Sequence, residues 1–189
     1  MNYGKIIKIL IIFLISSVLV GSVTAGFFDN PDALKGSGEY IIGEDIPAGE
    51  YYVKCTSGNL YVQVSSDSSG DLDSIVYNLN TEGGAYVTVK EGQYFKVQGG
   101  EVYELDKAPE DKKEDGYYKD GMFKVGTDIP AGEYNVEAAS GLGYVEVASS
   151  SSHQLSDIIT NDNFEGNKHV TISDGQYITL SNGAQIKAE

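Results

Sequence analysis

Two carboxylate pairs stand in identical settings. Asp45 and Glu50 lie within Asp45-Ile46-Pro47-Ala48-Gly49-Glu50-Tyr51, and Asp128 and Glu133 lie within the same seven residues at 128–134. Paired carboxylates can do acid–base work when a third group orients them, but no such partner stands nearby in the sequence. The two histidines, His153 and His169, belong to no Ser-His-Asp spacing, no zinc-type His/Cys cluster and no phosphate-cradling Gly loop. No catalytic residue is assigned on this basis.

Two other groups of residues could bind rather than react. Asp67, Asp71 and Asp73 place three carboxylates around Gly70 in a short polar loop, which suits calcium, a hard cation that takes oxygen ligands. The alternative is a polar solvated loop. Calcium is the one cofactor considered, and no other is expected. Among the aromatics, Tyr52, Tyr77 and Tyr86 could stack on sugar rings or on a partner surface if exposed. Tyr61 and Tyr144 are candidates for the same role at a position shared by both halves of the chain. The competing reading is ordinary sheet surface, or hydroxyls tied back to the backbone as in corner motifs.

What positions these residues is a duplication. Residues 40–100 lie over 123–183 at an offset of 83 with no gap, and nearly half of the aligned positions are identical. On that alignment Tyr52, Tyr77 and Tyr86 face Asn135, Thr160 and His169, and His153 faces Gly70. The Asp67–Asp73 loop faces Ser150–Ser156, which has lost every carboxylate. Residues that differ between the copies are therefore where a ligand site is expected, and the first copy is the place to look for it.

Each copy alternates apolar and polar residues in short runs. Examples are Val62 and Val64 against Tyr61, Gln63 and Ser65, and Val87 and Val89 against Tyr86, Thr88 and Lys90. A period of two with β-branched and aromatic residues marks half-buried strands, and Gly, Asn, Ser and Asp clusters punctuate them. The expected fold is all-β: two tandem antiparallel sandwich or jelly-roll-like units, at 38–106 and 121–189. A short lead occupies 26–37. The charged stretch 107–120, which contains Pro109, reads as an exposed linker. In the heptapeptide, Pro47 and Pro130 fix φ for a tight turn, and Gly49 and Gly132 are expected to close it with positive φ. Turn geometry accounts for Ile46, Pro47, Gly49 and Tyr51, and leaves only Asp45 and Glu50 for chemistry.

The N-terminus reads as an export signal. Lys5 and Lys8 precede an apolar run, and Val23-Thr24-Ala25 has the form of a cleavage site, so residues 1–25 are expected to be removed. The apolar run is short against the roughly 20 residues of a membrane span. The membrane is involved only if the segment stays uncleaved as an anchor. The formal charge is −15, and loss of Lys5 and Lys8 makes it −17. That field excludes nucleic acid and anionic lipid as partners. A single cysteine, Cys55, rules out an intrachain disulfide and reads as a small buried residue, since its counterpart is Ala138.

The motifs G-x-D-I-P-A-G-E-Y, S-G-x-x-Y-V, I-x-x-N-x-N and V-T-x-x-x-G-Q-Y occur in both copies. Together they resemble a repeat module of exported proteins in methanogenic archaea and Gram-positive bacteria. The resemblance implies a secreted or surface-attached β module and brings no catalytic residues. The expected function is a non-catalytic structural, adhesive or ligand-binding module outside the cell. Its expected partner is a cell-surface glycan or surface protein. A carbohydrate- or calcium-binding accessory protein is the alternative, and a secreted hydrolase the third reading.

Overall fold

Alternation of side chains becomes strand throughout. The computed structural model describes residues 30–110 and 112–188; the expected export segment, 1–25, lies outside them. The first unit contains β1 (Gly38–Ile41), β2 (Gly49–Cys55), β3 (Leu60–Ser65), β4 (Ile75–Thr81), β5 (Ala85–Val89), β6 (Tyr94–Gln98) and β7 (Gly100–Glu104). They form two antiparallel sheets, ordered β1-β6-β3-β4 and β5-β2-β7. The second unit contains β8 (Tyr117–Tyr118), β9 (Gly121–Lys124), β10 (Gly132–Ala138), β11 (Gly143–Ala148), β12 (Ile158–Phe164), β13 (Asn167–Ile172), β14 (Tyr177–Ser181) and β15 (Ala184–Lys187). Its sheets run β9-β14-β11-β12 and β13-β10-β15-β8. Each unit is thus a sandwich. Every second residue points inward, so Val53, Val62, Val64, Phe95, Val97 and Val102 are fully buried in the first. Val136, Val145, Ile178, Leu180 and Ile186 do the same in the second. The fold is all-β, as the alternation predicts.

Two expectations about the frame need correction. The stretch 107–120 is not uniformly an exposed linker. Tyr118 pairs with Ile186 and Tyr117 with Lys187, so β8 extends a sheet of the second unit. In the first unit Lys35, which sits in the expected lead, bridges Val102 at the equivalent place. Both units therefore begin earlier than the hydrophobic pattern suggests, because a short segment covers an otherwise open sheet edge. Lys112 is buried as well, its side chain only 6% exposed.

The second correction concerns the heptapeptide. Its tight turn lies ahead of the proline, at 43–45, and the positive φ falls on Gly43 (97°) and Gly126 (87°). Gly49 and Gly132 instead open β2 and β10 with no positive φ. Asp45 closes the turn by accepting the Ile41 N–H at 2.7 Å, and Asp128 accepts the Lys124 N–H at 2.8 Å. Tyr51 then donates its hydroxyl to the Pro47 carbonyl at 2.7 Å, and Tyr134 to that of Pro130 at 2.8 Å. The motif is a side-chain-braced turn leading into a strand, with a tyrosine tied back to the backbone. Gly43→Ala is expected to cost about 1 kcal/mol or more, because Ala resists positive φ. Gly49→Ala should stay within about 0.5 kcal/mol, since its Cβ would meet nothing closer than the Tyr51 ring at 3.8 Å. Thermal melts of the two variants check this; equal losses would refute the placement of the turn.

Candidate functional site

Strand alternation puts Glu50, Tyr52, Tyr86 and Thr88 on the outer face of the β5-β2-β7 sheet, with Tyr52 directly opposite Tyr86 and Glu50 opposite Thr88. The second unit turns the outer face of its β9-β14-β11-β12 sheet toward them, carrying Met122, Lys124 and Tyr177. Met122 and Tyr177 join the hydrophobic cluster of the first unit. The two sandwiches are packed against each other, face to face.

At the centre lies Glu50. One carboxylate oxygen accepts from Lys124 Nζ at 2.7 Å, and the other from Ser151 Oγ at 2.7 Å and from the Tyr177 hydroxyl. Burial pushes the Glu50 carboxyl up, but the bonds from Lys124, Tyr177 and Ser151 outweigh it and hold it below its ordinary value. Lys124 is lifted correspondingly, its bond to Glu50 overcoming its own burial. A second cluster surrounds Asp128, whose side chain is only 2% exposed. It accepts from Lys112 Nζ at 2.5 Å and from the Tyr86 hydroxyl at 2.8 Å, besides the turn bond from Lys124 N–H. Lys112 also stands 4.6 Å from the centre of the Tyr52 ring, a cation–π distance. Burial, then the Asp128 charge, push the Tyr86 hydroxyl far above its usual pKa.

Backbone contacts complete the docking. Met122 N–H donates to Gly84 O at 2.9 Å, and Thr88 N–H to Ser151 O at 2.9 Å, so the free edge of β5 is covered by the second unit. His153 inserts its ring 5.0 Å from Tyr77 and places Nε2 2.8 Å from the Tyr86 carbonyl. It does so from φ 54°, a left-handed conformation that the first unit gives to Gly70. A non-glycine residue accepts that conformation only when its surroundings hold it there. Asp157 anchors the same loop, accepting from the Ser150 and Ser152 hydroxyls.

The residues singled out in the sequence are thus redistributed. Tyr52, Tyr77 and Tyr86 are 5%, 8% and 2% exposed, so they are not a sugar-stacking surface; the linker and the second unit cover them. Asp67, Asp71 and Asp73 do not converge: among the described residues no three His, Cys, Asp or Glu side chains gather as a metal site would require. Asp67 instead closes its own loop by accepting the Ser69 N–H at 2.9 Å. Cys55 is half-buried against the first core rather than enclosed by it. Tyr61 is half-buried and donates to Gln63 Oε1, and Tyr144 donates to Glu146 Oε2 at 2.6 Å. Ser151, Lys112 and Lys124 escaped the sequence reading, which named His153 but gave it no role. The signal for His153 and Lys124 was their departure from Gly70 and Ile41; Lys112 lay in a stretch taken as solvated, and Ser151, whose counterpart is Ser68, gave no signal.

The counterparts of the docking face on the second unit, Glu133, Asn135, His169 and Thr171, are all exposed. Asn135 there bonds Asn167 at 3.3 Å, where the first unit has Tyr52 beside Gly84. The contact between units is therefore head-to-tail, using one face of each.

Acid should loosen this contact. Burial depresses the His153 pKa, against smaller opposing effects of the Tyr86 carbonyl and Glu146. The unfolded chain therefore takes up the proton first, and stability present above about pH 6.5 falls as pH drops toward the folded value, by up to about 1.4 kcal/mol per pH unit. Glu50, also depressed, adds a further loss below about pH 4.3. Urea unfolding at pH 7.5, 6.0 and 5.0 should show the first arm, and His153→Asn should flatten it; an unchanged slope in that variant would assign the loss elsewhere.

Sandwich architecture and the packed pair of units define a class: an all-β tandem-domain protein whose polar clusters lie between its domains. Residues 115–184, running from the start of the second unit into β15, match the family model described as an Rv1352-like extracellular domain. The match begins within the stretch read as linker, in agreement with β8. It supports an extracellular location. No curated protein and no solved structure matches the chain.

Proposed function

We propose that this protein is a non-catalytic, exported β module acting in a structural, adhesive or ligand-binding role outside the cell. One observation carries the reading: the groups best suited to chemistry are committed to one another between the units. Glu50 accepts three donors, Asp128 accepts Lys112 and Tyr86, and among the described residues no buried side-chain nitrogen or oxygen lacks a partner. A carboxylate held below its ordinary pKa by a lysine and two hydroxyls is a poor general base, and Ser151 donates its hydroxyl to that carboxylate. The extracellular domain match over 115–184 agrees with such a module.

The test is turnover. The purified exported protein, incubated with panels of glycoside, ester and peptide substrates, should release no product above a buffer control. Product formation that disappears in Glu50→Gln or Ser151→Ala would replace this reading with the hydrolase.

A further inference from the structure

The first unit rests on β9 and on Tyr177 at the start of β14. Beyond Met122, the outer faces of β14 and β11 continue with Thr179, Ser181, Tyr144 and Glu146. β4 of the first unit rises beside them, bringing Leu79, Asn80 and Thr81 to the same crevice. The result is a cavity of about 230 Å³ between the units, adjoining a second of about 480 Å³ that shares Asn80, Thr81 and Ser181 with it. The larger falls in the range of about 300–1,000 Å³ typical of ligand clefts, which favour domain interfaces, and the smaller lies below it.

Leu79, Ala85 and Met122 give the smaller cavity an apolar part, and the rest of the lining is polar. Amides and hydroxyls predominate, from Asn80, Thr81, Thr179 and Ser181, with Asn59, Ser140 and Asn182 farther along. Tyr144 supplies a half-buried ring, and its hydroxyl is fixed by Glu146 at 2.6 Å and by Asn161 Nδ2 at 3.4 Å. A ring held in one orientation loses little freedom on stacking, and Glu146 has lone pairs left for a second donor. The charged residues of the two cavities, Glu146, Glu82 and Asp120, are all acidic, in a chain of charge −15. Such a groove repels anions and offers an uncharged polyol many short hydrogen bonds beside an apolar face.

We infer that this groove between the units binds a neutral oligosaccharide, with Tyr144 as the stacking platform and Glu146, Asn80 and Thr179 as hydroxyl partners. The inference rests on the reading of a non-catalytic exported module and names its ligand class. It places glycan affinity at the junction of the two units, whereas the sequence alone put it within 38–106.

Saturation-transfer NMR and calorimetry on the exported chain test it, using maltohexaose, cellohexaose, mannohexaose and chitohexaose, with hexagalacturonate as the anionic control. At least one neutral hexasaccharide should bind saturably and hexagalacturonate should not. Tyr144→Ala should weaken binding about 10-fold, Tyr144→Phe much less, and Tyr61→Ala, at the equivalent place on the first unit, not at all. Circular dichroism of each variant separates lost binding from lost fold. Absence of binding by all four neutral probes, preference for hexagalacturonate, or equal effects of Tyr61→Ala and Tyr144→Ala would each overturn the inference while leaving the non-catalytic module standing. Cleavage of a bound probe, seen by chromatography, would overturn that broader reading instead.

Discussion

Asp128→Ala is expected to lower the unfolding free energy by about 3–5 kcal/mol, while Asp45→Ala, at the same place in the same seven residues, costs about 1 kcal/mol. Both carboxylates brace a turn through one backbone N–H. Only Asp128 is also the buried anion for Lys112 and the acceptor for Tyr86. Removing it strands an ammonium whose side chain is 6% exposed and a phenol hydroxyl in the same low-dielectric site. Asp45 is exposed, and water replaces what it gives up. Equilibrium denaturation of the two variants measures the difference; equal losses would mean that the buried cluster contributes nothing beyond the turn. Lys112→Ala should recover part of the Asp128→Ala loss, since it removes the stranded charge.

Gly83→Ala should be the other severe change, at about 3 kcal/mol. A Cβ at Gly83 would lie 1.7 Å from the Asp120 carbonyl oxygen and 2.9 Å from Gly121 Cα. Backbone on both sides leaves no flexible side chain to yield, so the units must separate locally, breaking the bond from Met122 N–H to Gly84 O. Its counterpart Gly166 meets nothing within 4 Å. Gly166→Ala should therefore cost only the strain of its φ of 72°, about 1 kcal/mol. Amide exchange at Met122 distinguishes the mechanisms: it should accelerate in Gly83→Ala and stay slow in Gly166→Ala. Unchanged protection in the first variant would show that the units remain docked.

Much of the frame was legible because it depends on local alternation and on repetition. The runs around Val62, Val87, Val145 and Ile178 declare their strands, and the offset of 83 declares two units. The turn was misplaced for a physical reason. Pro47-Ala48-Gly49 carries the strongest turn vocabulary in the stretch, yet the chain bends at Gly43, where a carboxylate two residues later holds the Ile41 N–H. That glycine is also kept in both copies, as Gly126. The docking site was harder to see because it is built from positions that the copies do not share. Tyr52, Tyr77, Gly84 and Tyr86 against Asn135, Thr160, Asn167 and His169 is a concerted exchange of aromatic and small residues for polar ones. Period-two alternation alone puts Tyr52 and Tyr86 on the outer face of a sheet, where large aromatics signal either a ligand or another domain. Choosing between those two requires knowing that Lys112 and Lys124 close over them, which is a matter of distance in space.

A head-to-tail contact is by nature a growth rule: whatever the second unit did for the first, a third could do for the second, and a filament would follow. The free faces of the two units do not repeat the contact. On the second unit the growing end presents Asn135, Thr160 and His169 in place of three tyrosines, and Asn167 in place of the glycine that let Tyr52 lie flat. On the first unit the opposite end offers Ile41 where a lysine should grip and Gly70 where a histidine should insert. Neither free face therefore carries the residues that the contact between the two units uses.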